Sequence, residues 1–244
     1  MLKIENTEVM GLEAAIRGMR NPMNSWEKSD SKFSCSNAIS DGVHFPQCVL
    51  PLTGDYNIIN DIGPNDLRLM KKLVNAGTDH RKFMRMITVY VDITAPLYWW
   101  KEFDTYKVGT VANSCSTMHK ITAKEFTLDD FSCEHLYAED NIDGMYYSAT
   151  AEEEFTSTDV IKVIIEALNN YRKIYLTTKD KKDWWQIIQM LPSSYNQRRT
   201  VMLNYEVLAN IYKSRHDHKL DEWHTLCNWI TSLPYSELIA GKKN

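Results

Sequence analysis

Strand-forming and helix-forming segments are unevenly distributed along this chain, and their distribution is the strongest constraint on its fold. Residues 86–93 are rich in β-branched and aromatic side chains, as in a strand, and Pro96 ends the segment. Helical patterns cover about residues 64–74, 158–171, 181–190, 199–214 and 220–233. Strand material in the first half and long helices in the second predict an α+β fold, formed as one domain over residues 1–244.

Charge and composition exclude several classes of protein. The 28 basic and 32 acidic residues give a net charge of -4, which argues against binding to nucleic acid polymers. No apolar run approaches the roughly 18 to 20 residues of a membrane-spanning helix, and the first residues lack a secretion-signal pattern. Five cysteines without a C-x-x-C pair predict reduced thiols, with no disulfide framework or zinc site. We therefore expect a cytoplasmic protein with no membrane or nucleic acid partner.

Two helical segments carry specific expectations. In the first, Thr158 and Asp159 are the expected cap. Its predicted buried face consists of Val160, Val163, Ile164, Ala167, Leu168 and Tyr171. In the segment over 199–214, Asn204 and Arg215 are expected on one stripe, about 16 Å apart, together with two aliphatic residues, Leu208 and Ile211. This span is comparable to that of a dinucleotide cofactor beside a nucleotide. Alternatively, Arg215 only complements the negative end of the helix dipole.

These residues also carry a resemblance to a known family. Leu191-Pro192, Asn204 and Arg215 follow one another as in the carboxy-terminal signature of the flavin-dependent thymidylate synthase (ThyX) family. Upstream, His80, Pro96 and the Asn113-x-x-Ser116 pair resemble the family's His-x-Ser segment, strand-ending proline and hallmark motif. The resemblance covers about residues 64–233.

The resemblance implies an α+β fold with a mixed or antiparallel sheet and a helical carboxy-terminal half. It implies a homotetramer with active sites between subunits, which hold FAD, dUMP or a related pyrimidine nucleotide, and a folate. The reduced flavin of the family relays a one-carbon unit from methylenetetrahydrofolate to the pyrimidine C5, with NADPH as co-substrate and without a protein nucleophile. The cofactor then carries the difficult chemistry, while the protein binds and orients.

The same resemblance assigns roles to individual residues. Arg215 would be the catalytic guanidinium that faces the pyrimidine. The implied FAD-binding residues are His80, Lys82, Tyr106, Lys107, Asn113, Asn204 and Asn210. The implied nucleotide-binding residues are Glu102, Thr105, Ser114, Cys115, Ser116 and Arg215, and Glu102 stands where the family has a glutamine. No metal is implied.

Several positions depart from the family pattern. Thr105-Tyr106-Lys107 replaces an Arg-His-Arg triplet, Ser114 replaces a glutamate, and Met118 replaces an arginine. Because phosphate recognition normally uses Arg or Lys, these changes remove much of the expected 5′-phosphate clamp. The candidate substitutes are Lys101, Lys107, Lys120, Arg198 and Arg199. The substrate is then held differently, or it is another pyrimidine, or the chain is a non-catalytic descendant that binds nucleotide or serves as a scaffold.

Other features allow alternative interpretations. Cys115 lies inside the motif, but no base is placed in sequence to activate its thiol. His216 and His218 resemble a metal-binding tract, yet residues two apart do not converge on a helix face, so we expect no metal. Trp99-Trp100 and Trp184-Trp185 either pack in a core or stack on a planar ring. Glycine-rich phosphate loops of the NAD and ATP folds are absent from the sequence.

Overall fold

The computed structural model describes residues 2–35, 58–137, 146–147 and 154–241. Its strands are β1 (Lys3–Met10), β2 (Lys32–Cys35), β3 (Ile58–Asp61), β4 (Thr88–Pro96), β5 (Val111–Ser114), β6 (Tyr146–Tyr147), β7 (Glu154–Phe155) and β8 (Asn196–Asn204). Its α-helices are α1 (Leu12–Arg20), α2 (Pro64–Asn75), α3 (Leu97–Phe103), α4 (Thr117–Lys120), α5 (Ser157–Thr178), α6 (Lys181–Met190), α7 (Tyr205–Arg215), α8 (Asp221–Ser232) and α9 (Glu237–Ala240).

The central element is a four-stranded antiparallel sheet with the strand order β1-β4-β8-β5. β4 pairs with β8 along its whole length, from Thr88 opposite Asn204 to Pro96 opposite Asn196. Alternate residues of β4 are buried, so one face of the sheet lies against the core. β2 pairs with β3, and β6 pairs with β7, in two small two-stranded antiparallel sheets. The predicted α+β class, the antiparallel sheet and the helical carboxy-terminal half are confirmed.

Most of the predicted elements lie close to their expected positions. The helices predicted over 64–74, 181–190 and 220–233 are confirmed as α2, α6 and α8. The predicted strand is present but starts two residues later and extends to Pro96. Its start is delayed because the chain forms a 3-10 helix at Lys82–Met86, which buries Met84 before the strand begins.

The predicted helix over 199–214 is wrong in its first third. Residues up to Asn204 form β8, and α7 begins only at Tyr205. Pairing with β4 on one side and β5 on the other outweighs the local helical pattern, since a central strand satisfies its backbone groups on both edges. Asn204 therefore does not share a helix stripe with Arg215. It is the N-cap of α7, and its Oδ1 accepts a hydrogen bond from the Val207 backbone N–H at 3.1 Å.

The expectations for α5 are also partly wrong. The cap is Thr156, which exchanges hydrogen bonds with Asp159 in a capping box. Ile161 and Leu168 are the buried residues of the helix, whereas Val160 and Val163 are 42% and 55% exposed. The buried stripe is narrower and rotated because α5 packs mainly against α6, in a hydrophobic cluster separate from the main core.

Aromatic rings form one end of the main core. Trp99, Trp100 and Trp223 are almost completely buried, and the centroid of the Trp99 ring lies 4.8 to 4.9 Å from those of the other two. The packing interpretation of Trp99-Trp100 is therefore confirmed. Trp100 Nε1 donates to the Gln197 carbonyl at 2.9 Å, whereas Trp99 Nε1 is buried and has no hydrogen-bond partner among the described residues.

The adjacent tryptophans provide a matched test of this difference. Trp99→Phe and Trp100→Phe remove the same atoms from equally buried sites, but only the second loses a hydrogen bond. We expect Trp100→Phe to lower the free energy of unfolding by about 1 kcal/mol more than Trp99→Phe does. Urea denaturation of both variants measures this difference, and equal costs would contradict the assigned contact.

The cap of α7 yields a second prediction. Asn204→Ala removes the acceptor for the Val207 N–H and should lower the free energy of unfolding by about 1 kcal/mol. Asn204→Asp keeps an acceptor at the positive end of the helix and serves as the control, so its stability should stay near that of the unsubstituted protein. Thermal or urea unfolding of the two variants is the measurement. Equal losses in both would show that the cap does not stabilise the helix.

Candidate functional site

Arg215, at the carboxyl end of α7, is the centre of a polar cluster. Its Nη1 donates to Glu102 Oε2 at 2.8 Å, and its Nε donates to the Tyr106 hydroxyl at 2.9 Å. The guanidinium carbon lies 4.7 Å from the centroid of the Trp223 ring, in a cation–π arrangement. The side chain is 18% exposed, so Arg215 is a fixed, half-buried group and not a freely solvated helix end.

Glu102 Oε2 is the acceptor that organises this cluster. Besides Arg215, it accepts from Trp223 Nε1 at 3.0 Å, and His218 Nε2 lies 3.4 Å away. The cluster thus joins α3, α7 and α8. The sequence indicated Arg215, Glu102 and Tyr106 for the site, but it missed Trp223 and linked His218 only to a metal tract. His216 instead lies 2.9 Å from the carboxylate of its neighbour Asp217, so the two histidines have different partners.

At the amino end of α7, the cap residue Asn204 lies next to the loop that follows Tyr106 and Lys107 in the chain. Gly109 has a φ of +80°, and a Cβ at this position would lie 3.0 Å from Asn204 Nδ2. A larger residue would be strained by this φ and tightly packed against Asn204, and the loop that follows Tyr106 and Lys107 lies against the cap of α7. In this loop the Thr110 hydroxyl oxygen is buried without a hydrogen-bond partner among the described residues.

The motif residues from Asn113 to Ser116 lie along the edge strand β5 and its end. Asn113 and Ser114 are opposite Thr200 and Arg199 of β8. Cys115 continues the pairing, since its backbone N–H donates to the Arg198 carbonyl at 2.9 Å and its own carbonyl accepts from Gln197 Nε2. The Ser116 hydroxyl caps α4 by accepting from the His119 backbone N–H at 3.0 Å. All four motif residues are exposed.

The remaining indicated residues lie beside the middle of α7. Arg81 contacts both Glu206 carboxylate oxygens at 2.9 to 3.1 Å, and its Nη2 donates to Asn210 Oδ1 at 3.3 Å. His80 and Lys82 flank Arg81 in the chain and are exposed. The motif pattern did not indicate Arg81, although an arginine between two indicated residues was a visible signal.

The structure thus places the indicated residues in three groups along α7 and in one along β5. The first group is at the Asn204 end of α7, the second is beside Asn210, and the third is at Arg215. No hydrogen bond or ion pair joins these groups to one another within the described part of the chain. Thr105 lies on the exposed turn that leads from α3 into Tyr106, where its hydroxyl donates to the Glu102 carbonyl at 2.7 Å.

The candidate phosphate ligands differ in their electrostatic surroundings. Arg198 contacts Asp92 at 2.7 Å, and hydrogen bonds from Thr200, Asn6 and Arg198 lower the pKa of the Asp92 carboxyl to about 2. Arg199 contacts Asp104 at 2.8 Å and lies 4.1 Å over the Trp100 ring. Both arginines are therefore already neutralised.

Three lysines are less constrained than these arginines. Lys101, Lys107 and Lys120 are exposed, and none forms an ion pair with another described residue. Lysines on this surface are therefore better placed than the two β8 arginines to meet a phosphate without first losing a carboxylate partner.

Two surface cavities of the described structure do not contain the indicated residues. One, of about 470 Å³, is lined by Glu125, Leu128, Lys162, Ile165, Glu166, Asn169, Asn170 and Lys173. Another, of about 410 Å³, lies between β1 and α8. In the described ranges, no cluster of three or more His, Cys, Asp or Glu side chains is arranged to hold a metal ion. None of the described helices has both the length and the apolar composition to cross a bilayer.

The residues around the start of α7 fit a flavin by their hydrogen-bonding chemistry. Asn204 Nδ2 and the exposed Asn113 amide offer donors, and the unpartnered Thr110 hydroxyl lies in the loop between them. Isoalloxazine carbonyls and ring nitrogens accept such hydrogen bonds. FAD also contains a diphosphate, which a cationic side chain can bind. The candidate cation in this loop is Lys107, which stands where the family has an arginine.

Comparison with known proteins adds evidence on the fold. No protein-family profile and no curated protein sequence matches this chain. Among solved structures, the flavin-dependent thymidylate synthase ThyX from Helicobacter pylori, complexed with FAD and dUMP, is similar with a TM-score of 0.61. The identity is 16%, and the match covers 98% of this chain and 97% of that one. A second structure of the Helicobacter pylori enzyme with FAD and dUMP gives a TM-score of 0.60, 15% identity and the same coverage.

A further match is the UMP/dUMP methylase PolB from Streptomyces cacaoi, bound with 5-Br dUMP. It has a TM-score of 0.51 and 10% identity, over 95% of this chain and 88% of that one. Because these matches extend over nearly the full length of each chain, the similarity concerns the whole architecture and not a shared hairpin or helix pair. This chain therefore has the fold of the flavin-dependent thymidylate synthase ThyX.

Proposed function

We propose that this chain is a flavin-dependent enzyme that transfers a one-carbon unit to C5 of dUMP or a related pyrimidine nucleotide. Methylenetetrahydrofolate is the proposed donor and NADPH the proposed co-substrate. The observation that carries the proposal is the convergence of Arg215, Glu102 and Tyr106 at one end of α7, the helix whose other end is capped by Asn204. The fold supports it, since the similar structures from Helicobacter pylori are complexes with FAD and dUMP.

Arg215 is suited to bind and polarise a pyrimidine. Its Nε and Nη1 are held by Tyr106 and Glu102, so the guanidinium is oriented before a ligand arrives. It can then donate to a ring carbonyl and favour electron density on that oxygen. The proposed nucleotide ligands are Glu102, Thr105, Ser114, Cys115, Ser116 and Arg215.

The flavin is assigned to the residues along α7 and β5. FAD, when bound, supplies the redox chemistry and the relay of the one-carbon unit. The chain binds and orients it, through the proposed ligands His80, Lys82, Tyr106, Lys107, Asn113, Asn204 and Asn210. The exposed motif on β5 can take part only if another surface encloses it.

A second copy of the chain is the proposed enclosing surface. Val108, Val111 and Met118, on either side of the motif, are 92%, 61% and 52% exposed, although large apolar side chains are normally buried. β5 is the edge strand of the described sheet, so its outer backbone groups add further capacity for pairing at the same place. These features support contact with another copy of the chain. We propose a homotetramer of single-domain chains (residues 1–244), with active sites between subunits, in the cytoplasm.

A non-catalytic descendant that binds nucleotide or flavin is the alternative. The contacts that favour it are those that neutralise Arg198, Arg199 and Arg215 with Asp92, Asp104 and Glu102. Flavin absorbance of the purified protein, and tritium release from C5-labelled dUMP and C5-labelled dCMP with FAD, NADPH and methylenetetrahydrofolate, separate the two. Flavin binding without any pyrimidine turnover would favour the alternative, and failure to take up FAD would contradict both flavin-based proposals.

The role of Arg215 can be tested with a conservative substitution. Arg215→Lys keeps a cation beside Glu102 but loses the planar fork of donors. We expect tritium release to fall about 100-fold, the scale of losing one oriented donor, with a midpoint of thermal unfolding within a few degrees of the unsubstituted protein.

Arg172→Lys is the matched control for this substitution. Arg172 is also a half-buried guanidinium with a directional contact, since its Nε donates to the Thr122 carbonyl at 3.0 Å, but it lies on α5 outside the proposed site. Its substitution should leave turnover unchanged. Full turnover in Arg215→Lys would refute the assigned role of the guanidinium.

A further inference from the structure

The hydrogen-bonding atoms that Glu102 leaves available bear on which pyrimidine the site selects. Among the described residues, two donors reach this carboxylate, Arg215 Nη1 and Trp223 Nε1, and both are directed at Oε2. His218 Nε2 lies 3.4 Å from the same oxygen. Oε1 has no hydrogen-bond partner among the described residues, and the side chain is 35% exposed. A carboxylate in an ion pair can only accept hydrogen bonds. The cluster therefore presents one free acceptor to a ligand.

Arg215 presents free donors beside that acceptor. Its Nε and Nη1 are directed at Tyr106 and Glu102, while Nη2 has no partner in the described part of the chain. The contact of 2.8 Å between Nη1 and Oε2 fixes the two groups side by side. A ligand thus meets an acceptor followed by guanidinium donors.

This order distinguishes the two common pyrimidine edges. Cytosine offers an N4 amino donor followed by two acceptors, N3 and O2, whereas uracil offers an acceptor, a donor and an acceptor. Each group of the cytosine edge therefore has a matching partner. The N4 amino group can donate to Glu102, and N3 and O2 can accept from Arg215. Uracil can direct its N3–H at the Glu102 carboxylate. Its two carbonyl groups then lie on opposite sides of that contact, so the Arg215 guanidinium reaches only one of them.

The charge of the cluster supports the same choice. Glu102 neutralises Arg215, so the pair lacks the surplus positive charge that would stabilise a uracil ring deprotonated at N3. A carboxylate against uracil O4 would place two acceptors together, which is repulsive. Against an amino group it forms a charge-assisted hydrogen bond.

We propose that the site selects a cytosine nucleotide over a uracil nucleotide, with Glu102 accepting from the ring amino group and Arg215 donating to the adjacent acceptors. This inference rests on the proposed pyrimidine function and specifies its substrate class. It concerns binding, so it can be tested without turnover.

The test is calorimetric titration of the full-length, FAD-supplemented protein with dCMP and with dUMP. We expect dCMP to bind at least about tenfold more tightly than dUMP. Glu102→Gln replaces one acceptor oxygen with an NH₂ donor and should remove or reverse this preference.

Glu237→Gln is the matched control. Glu237 is 36% exposed and forms an ion pair with Lys71 at 3.3 Å, so the chemical change and the surroundings are alike, but the residue lies on α9 outside the proposed site. The preference for dCMP should persist in this variant.

The possible outcomes separate this inference from the function on which it rests. Binding of dUMP as tight as, or tighter than, binding of dCMP by the unsubstituted protein overturns the cytosine inference and leaves the pyrimidine function standing. A preference for dCMP that survives in Glu102→Gln overturns the role of Glu102. If FAD binds but neither nucleotide binds to the unsubstituted protein or to Glu102→Gln, both proposals fail. The preference of the unsubstituted protein decides the first point even if Glu102→Gln does not fold.

Discussion

The antiparallel pairing of β4 with β8 is the interaction on which the rest of the structure depends. It spans the nine residues of each strand, and because the strands are antiparallel, the end of β8 lies beside the start of β4. α7 begins there, after its cap Asn204, and α3 begins at the other end of the pair, after Pro96. The eleven residues of α7 extend about 16 Å, and Arg215 at its far end meets Glu102 of α3. The strand register therefore decides which residues form the cluster.

The candidate site and the main core share structural parts. Trp223 is completely buried against Trp99, yet its Nε1 donates to Glu102, and its ring lies under the guanidinium of Arg215. A close-packed aromatic ring cannot move without displacing its neighbours. Glu102 and Arg215 are thus held in place by packing as well as by charge, which suits a site that must orient a ring before reaction.

Charge balance distinguishes this surface from a strongly basic nucleotide site. The arginines on β8 and at the end of α7 each have a carboxylate partner, whereas Lys101, Lys107 and Lys120 form no ion pair with another described residue. Paired arginines give directional contacts and little net attraction, whereas unpaired lysines attract anions without fixing their orientation. The arrangement therefore favours recognition of a ring edge over tight capture of a phosphate, and the proposed substrate follows from this balance.

The sequence by itself determined the α+β class and the helices α2, α6 and α8. Its motifs also indicated three residues of the cluster, which are Arg215, Glu102 and Tyr106. These features depend on local periodicity, caps and residue type, which are readable in one dimension. Only the tertiary structure decided that residues 199–204 form a strand, that Asn204 is a cap, and that Trp223 and His218 join Glu102. β8 is a strand because it has partners on both sides, and the donors that meet at Glu102 Oε2 come from residues more than a hundred positions away in the chain. Contacts at such separations have no local signature, since they exist only once the sheet has set the positions of the helices.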